Sequence, residues 1–132
     1  MKSIAEDIAT ILSTTAGSGL VLGQTLFVSR IPTGPDNCVI VFDVPSGPPD
    51  VTLDKASYYQ SAFQIYVRNK SYQAGMSAAE ALKAILHTKT SVSVESTLYL
   101  AITMTTEPFL LEWDDNNRAI INMNFKAQRR LL

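Results

Sequence analysis

The sequence predicts an α+β fold, a mixed or mainly antiparallel sheet with two helices packed on one face. Two segments repeat their apolar residues at the three-and-four spacing of a helix face, and several others alternate at period two. Nothing follows the strand–helix–strand–helix order that a doubly wound parallel sheet requires. With 132 residues, 46% of them apolar and 17% charged, the chain has the size and composition of one compact domain. A single domain over residues 1–132 is expected, without internal repeats or low-complexity tracts.

The first helix follows from Ser3 and Glu6, spaced as a capping box, and from Ile4, Ile8, Ile11 and Leu12 along one face. It is expected to run to about Thr14 and to end at Ala16-Gly17-Ser18-Gly19, where glycine accepts the left-handed backbone of a helix exit. Leu26-Phe27-Val28, within a β-prone run of about six residues from Gln24, predicts a strand. Residues 31–36 cannot extend it, because each proline there removes a backbone donor and fixes its own φ. Cys38-Val39-Ile40-Val41-Phe42-Asp43-Val44 is nearly continuous in apolar and β-branched residues, which fits a central strand covered on both faces. Pro45-Ser46-Gly47-Pro48-Pro49-Asp50 then makes a stiff, exposed loop, expected to continue irregularly to about Lys55.

From 58 to 69, Phe63, Ile65 and Val67 alternate with more polar neighbours, and a strand is expected. Ser71 caps a second helix of about 16 residues, in which Ala74, Ala78, Ala81, Leu82, Ile85 and Leu86 recur and the small residues allow close packing on a sheet. After a polar link, Leu98, Leu100, Ile102 and Met104 alternate with Thr97, Tyr99, Ala101, Thr103 and Thr105 as another strand. Pro108 is expected to interrupt before Phe109-Leu110-Leu111-Glu112-Trp113, and Asp114-Asp115-Asn116-Asn117 to turn the chain into a final strand from Arg118 to about Gln128. The last two segments form a hairpin. Ala119, Ile121, Met123, Phe125 and Ala127 are its inward positions, while Arg118, Asn122, Asn124, Lys126 and Gln128 face out or toward a neighbour.

Charge and residue counts narrow the function. Lys plus Arg (11) against Asp plus Glu (12) gives a net charge of -1, which excludes a strongly basic protein held to nucleic acid by counterion release. Cys38 is the one cysteine and His87 the one histidine, so one chain forms no disulfide and assembles none of the usual structural zinc sets. Counting alone leaves open a Cys–His dyad or a Ser–His–acid triad. The first residues carry Glu6 and Asp7 where a signal peptide needs an apolar run, and a soluble, cytoplasm-made protein without membrane segments is expected.

Phosphate-loop, zinc-protease, nucleophile-elbow and dinucleotide motifs are absent. Gly17-Ser18-Gly19 lacks a third glycine and follows a helix, so it reads as a terminator. His87 lies in the last turn of the second helix, where an imidazolium capping free carbonyls is a better reading than catalysis. Cys38 opens an apolar strand and reads as a small hydrophobe rather than a reactive thiol. Glu112, Asp114 and Asp115 cluster at the hairpin tip, a solvated turn that would bind a divalent cation only with a further oxygen donor. Tyr58, Tyr59, Tyr66, Tyr72 and Tyr99 are not interleaved with basic residues as a nucleic-acid stacking platform would be. Lys126, Arg129 and Arg130 read as a solvated basic end. No catalytic, cofactor-binding or metal-binding residue is assigned, and no enzyme is expected.

Several segments recur here in a recognisable order: the amphipathic first helix, Leu26-Phe27-Val28 leading to Pro32, Asn37-Cys38-Val39-Ile40-Val41, and the Gly47-Pro48-Pro49 loop. Phe63-Gln64-Ile65-Tyr66-Val67-Arg68, then Tyr72 and Ala74 opening a helix, and a closing strand with Asn122 and Asn124 complete the set. In order, spacing and length this resembles the minor capsid and tail-terminator proteins of long-tailed bacteriophages, similar in plan to the lambda-type tail terminator. The resemblance implies a structural virion protein made in a bacterial host, from a phage or a prophage. It would form a homo-oligomeric ring, a hexamer, at the head-proximal end of the tail. Its partners would be copies of itself, the tail-tube protein and a head-completion or connector protein, with DNA only as passing cargo and no cofactor. The ring would stop tube polymerisation and offer the surface for head joining. Candidate contact residues are Pro45, Gly47, Pro48, Pro49 and Asp50 in the stiff loop, Tyr72, and Arg118, Asn122, Asn124 and Lys126 on the outer side of the final strand. Arg68 would pair either with an acid of a neighbouring subunit or within its own chain. Rival readings are another head–tail joining protein with the same sheet, and a small enzyme or ligand-binding domain using His87 or Asp114.

Overall fold

Ser3 opens the first helix of the computed structural model, which describes residues 1–51 and 57–132. Its hydroxyl accepts the Glu6 N–H while the Glu6 carboxylate accepts the Ser3 N–H, each at 3.2 Å. With two donors of the first turn satisfied, α1 runs over Ile4–Thr14. Thr15 closes it, and Gly17 and Gly19 carry the positive φ of the exit.

The elements that follow are β1 (Leu26–Val28), β2 (Cys38–Val44), β3 (Asp50–Val51), β4 (Ser57–Asn69), α2 (Tyr72–Leu86), β5 (Lys89–Val94), β6 (Thr97–Trp113) and β7 (Ala119–Leu131). Six strands lie in the order β1-β2-β4-β7-β6-β5, and β3 pairs with β4. Among the strands of the described residues β1 and β2 pair parallel and the other pairs are antiparallel. The fold is α+β, with a mixed sheet and two helices. No helix among the described residues is long and apolar enough to cross a membrane.

Four expectations need correction. The first strand is shorter than the β-prone run, because Gln24 and Thr25 donate to Val21 O and Gly23 donates to Leu26 O in a turn. The polar link after the second helix contains β5, an edge strand whose Lys89, Thr90, Ser91 and Ser93 are tolerated because one side meets only solvent. Pro108 does not interrupt its strand, since it falls in a register shift where the step from Thr106 to Phe109 on β6 matches that from Asn124 to Asn122 on β7. The extra residue of such a bulge needs no ladder partner, so a residue without an N–H fits there. The loop after β2 is exposed as expected, but its last residue, Asp50, already pairs with Tyr58. The stretch expected to continue to Lys55 lies outside the described residues from 52 onward.

β4 and β7 pair without interruption from Tyr59–Arg129 to Asn69–Ala119. Directly opposed residues share a face, which brings together Phe63 with Phe125, Ile65 with Met123 and Val67 with Ile121. The two phenylalanine rings stack 5.0 Å apart at 4°. These side chains form one buried cluster with Ile4, Ile8 and Leu12 of α1 and Ala79, Leu82 and Leu86 of α2. Helix α1 rests on β1, β2 and β4, and α2 on β4, β6 and β7.

Close approach of α2 to β7 depends on Gly75. A Cβ at this position would lie 2.7 Å from Ile121 Cδ1 and 3.2 Å from Asn69 Cβ. Replacing it with valine is therefore expected to lower stability by about 3 kcal/mol through overpacking of a filled interior. Urea denaturation measures this directly, and a loss below about 0.5 kcal/mol would show that the helix can move away at little cost.

Candidate interaction surfaces

Arg68 near the end of β4 and Arg118 just before β7 lie on the side of the sheet opposite Phe63 and Phe125, and the 31–36 loop covers both. Arg68 is 1% exposed, and its Nη1 and Nη2 donate to Pro32 O and Pro35 O, each at 2.6 Å. Arg118 donates from Nη1 to Thr33 O at 2.8 Å and from Nε to Asp114 Oδ2 at 2.8 Å, with Asp36 Oδ1 at 3.4 Å. A proline-rich loop is short of backbone donors and long on carbonyls, and two guanidinium forks satisfy that imbalance. Both arginines are thus committed within the chain. Among the described residues Arg68 binds loop carbonyls rather than an acid, with its buried Nε left without a partner, and Arg118 is buried rather than facing outward.

Asp114 is the hinge of the β6–β7 turn. Its Oδ1 accepts the Asn116 N–H at 3.0 Å and the Arg118 N–H at 2.9 Å. Desolvation works to raise its pKa, but these hydrogen bonds and the Arg118 guanidinium outweigh it and hold the carboxyl below the usual aspartate value. The turn carboxylate is therefore structural, and among the described residues no group of three or more His, Cys, Asp or Glu is arranged to hold a metal ion. A cleft of about 280 Å³ lies between this turn and the 31–33 segment, bordered by Glu112, Tyr66 and Ile120.

The remaining expected contact residues divide by exposure. Pro45, Gly47, Pro48, Pro49, Asp50, Tyr72 and Lys126 are exposed, Asn124 is half-buried, and Asn122 is buried with its Oδ1 unpartnered among the described residues.

A second polar cluster was not expected. Asp7 lies on the apolar stripe of α1, three residues after Ile4 and four before Ile11, and is buried. The Tyr99 hydroxyl donates to Asp7 Oδ2 at 2.5 Å, and Arg129 Nη1 lies 3.6 Å from the same oxygen. Arg129 also donates to Ser61 Oγ and to Lys2 O, each at 3.0 Å. Arg129 is therefore buried inside β7 and is no part of a solvated basic end. Burial pushes the Asp7 carboxyl up against the opposing pull of Tyr99 and Arg129, and burial with the Asp7 contact pushes the Tyr99 phenol up as well.

The two groups best suited to nucleophilic chemistry are far from such use. Cys38 is buried, and burial raises its thiol pKa despite Arg68 beside it, which keeps it a small hydrophobe. His87 accepts the Met104 N–H on Nδ1 at 2.9 Å. Its ring thus meets β6; the helix-end cap is its own backbone N–H, donated to Lys83 O at 2.8 Å. Among the described residues the ring makes no hydrogen bond to the helix carbonyls that it was expected to cap.

Arg68, Arg118, Asp114 and His87 thus hold a loop, a turn and a strand in place. The family model of the bacteriophage tail terminator protein matches residues 14–130, and the chain belongs to that family. It is a structural protein of phage tails. Among solved structures it is similar to a chain of the virion of a native gene transfer agent particle, 16% identical, covering 97% of this chain and 95% of that one with a TM-score of 0.66. A further solved chain, 10% identical, covers 96% of this chain and 91% of its own with a TM-score of 0.54. At these identities the likenesses show the fold. No curated protein matches the sequence.

Two outcomes follow from the polar clusters. Arg68→Met keeps the stem but removes two charge-assisted hydrogen bonds, and stability is expected to fall by about 3 kcal/mol in guanidinium denaturation. A change under about 1 kcal/mol would mean that the 31–36 loop holds itself. For Asp7 the folded pKa lies above the unfolded one, so its contribution is complete below the ordinary aspartate range and is lost as pH rises through the folded value. Between about pH 3 and pH 7 the natural protein should lose stability relative to Asp7→Asn, and parallel stability curves for the two would refute this.

Proposed function

We propose that this protein acts as a ring of identical subunits that docks on the last ring of a tail tube at its head-proximal end. The ring covers the surfaces another tube subunit would use, so capping competes with elongation, and its far side meets the head-completion or connector protein. The observation that carries this reading is the family match across residues 14–130. The ring is taken as a hexamer on the resemblance described above. Each junction in a closed ring is modest, but repetition around the circle makes assembly cooperative.

In this reading both helices lie over one face of the sheet, which their shared buried cluster with Phe63, Ile65, Met123 and Phe125 supports. The part of the other face not covered by the 31–36 loop, with Asn124 and Lys126 of β7, and the exposed 45–50 loop are left for contacts, as is the exposed Tyr72 at the start of α2. A stiff loop loses little entropy when it docks. A net charge of -1 lets DNA pass through a ring without being held.

Light scattering across a concentration series, followed by electron microscopy of tail tubes grown with and without the protein, tests the proposal. Assembly beyond the monomer and shortened tubes bearing a cap at one end are expected. A monomer at every concentration with tubes of unchanged length would overturn it.

A further inference from the structure

We propose that the open edge of β6 is a subunit-docking surface, and that its occupant is the β1 end of a second copy of this chain. The inference rests on the ring reading and says where one subunit meets the next. Strand β5 covers β6 only from Thr97 to Ile102, and His87 takes the Met104 N–H. From 105 to 113, β6 pairs with β7 alone among the described residues, so its other side is an unpaired edge. Phe109, Leu110, Leu111 and Trp113 are all exposed on this stretch, Trp113 by 49%. Phe109 stands opposite Asn122 and Leu110 opposite Ile121, so apolar groups flank the edge on both faces of the sheet. Pro108 and the bulges of this stretch break a regular hydrogen-bonding edge, so the contact offered is chiefly one of apolar side chains, and no lysine occurs between Thr97 and Trp113 to oppose it. An edge that is apolar above and below fits an occupant that continues the layer.

The opposite end of the sheet has the matching character. The turn beside β1 bridges Leu22 to Leu26 and exposes Val21 by 48% and Leu22 by 57%, and Ile31 beyond the strand is 58% exposed. Charge is complementary as well. Arg30 is the sole charged residue between Ile8 and Pro35, and Glu107 and Glu112 are the sole ones between Thr97 and Trp113. None of the three takes part in an ion pair among the described residues. Two unlike, complementary ends of one sheet make a heterologous junction, which repeats head to tail until it closes.

Leu111→Lys and Leu22→Lys each spoil one half of the junction at an exposed site, and circular dichroism checks that both variants fold. Each alone is expected to weaken assembly at least tenfold. An equimolar mixture should give dimers and nothing larger, because one intact β6 edge meets one intact β1 end. As a second route, Leu22→Cys and Leu111→Cys proteins should be joined by a short bis-maleimide only when mixed. Assembly of both lysine variants at natural strength would leave the ring reading standing and remove this junction, as would a mixture that stays monomeric. Self-coupling of Leu111→Cys would replace it with a two-fold edge contact. A natural protein that never assembles would remove the ring reading and the junction together.

Discussion

The antiparallel ladder between β4 and β7 is the constraint on which the rest depends. Because opposed residues share a face, one choice of register decides at once which side chains join the buried cluster and which meet the 31–36 loop. A slip of one residue would turn Phe125 and Met123 away from α1 and α2 and bring Lys126 and Asn124 toward them. The same register places Ser61 beside Arg129 on the Phe63 side, where Arg129 reaches Asp7, and Arg68 on the other side, where it reaches the proline carbonyls. Core, polar network and loop clamp are three results of one pairing.

Polar groups inside this protein serve position rather than reaction. Arg68 and Arg118 supply donors to a loop whose prolines cannot supply their own, and Asp114 shapes the turn that delivers Arg118. Asp7, Tyr99 and Arg129 join α1 to β6 and β7 across the core. Buried charge of this kind is costly unless each group is bonded, so removing one partner harms the fold more than the pair ever gained for it.

Much of the architecture was legible from local rules. The capping box at Ser3 and Glu6 located α1, and the alternation from Ala119 to Ala127 located the buried side of β7, because both depend only on spacing along the chain. β5 escaped because its composition is that of a loop; only pairing with β6 makes it a strand. Pro108 misled because a proline ends a strand unless a bulge takes it up, and a bulge is a property of two strands. For the candidate surface, the 45–50 loop and Lys126 were placed in solvent correctly. Arg68, Arg118 and Arg129 were not recognised as buried, since nothing local tells which long basic side chain will be covered. Asp7 did carry a signal, its place on the apolar stripe of α1.

The Asp7–Tyr99–Arg129 cluster ties residues 92 positions apart through the tyrosine, and the Lys2 carbonyl to a guanidinium 127 positions away. During synthesis, α1 leaves the ribosome long before β7 exists, and until β7 arrives Asp7 has neither its cation nor a sealed cavity. The earliest segment of the chain thus waits for one of the latest before it can lock. A nascent subunit is thereby kept from a finished shape until translation has passed through β7.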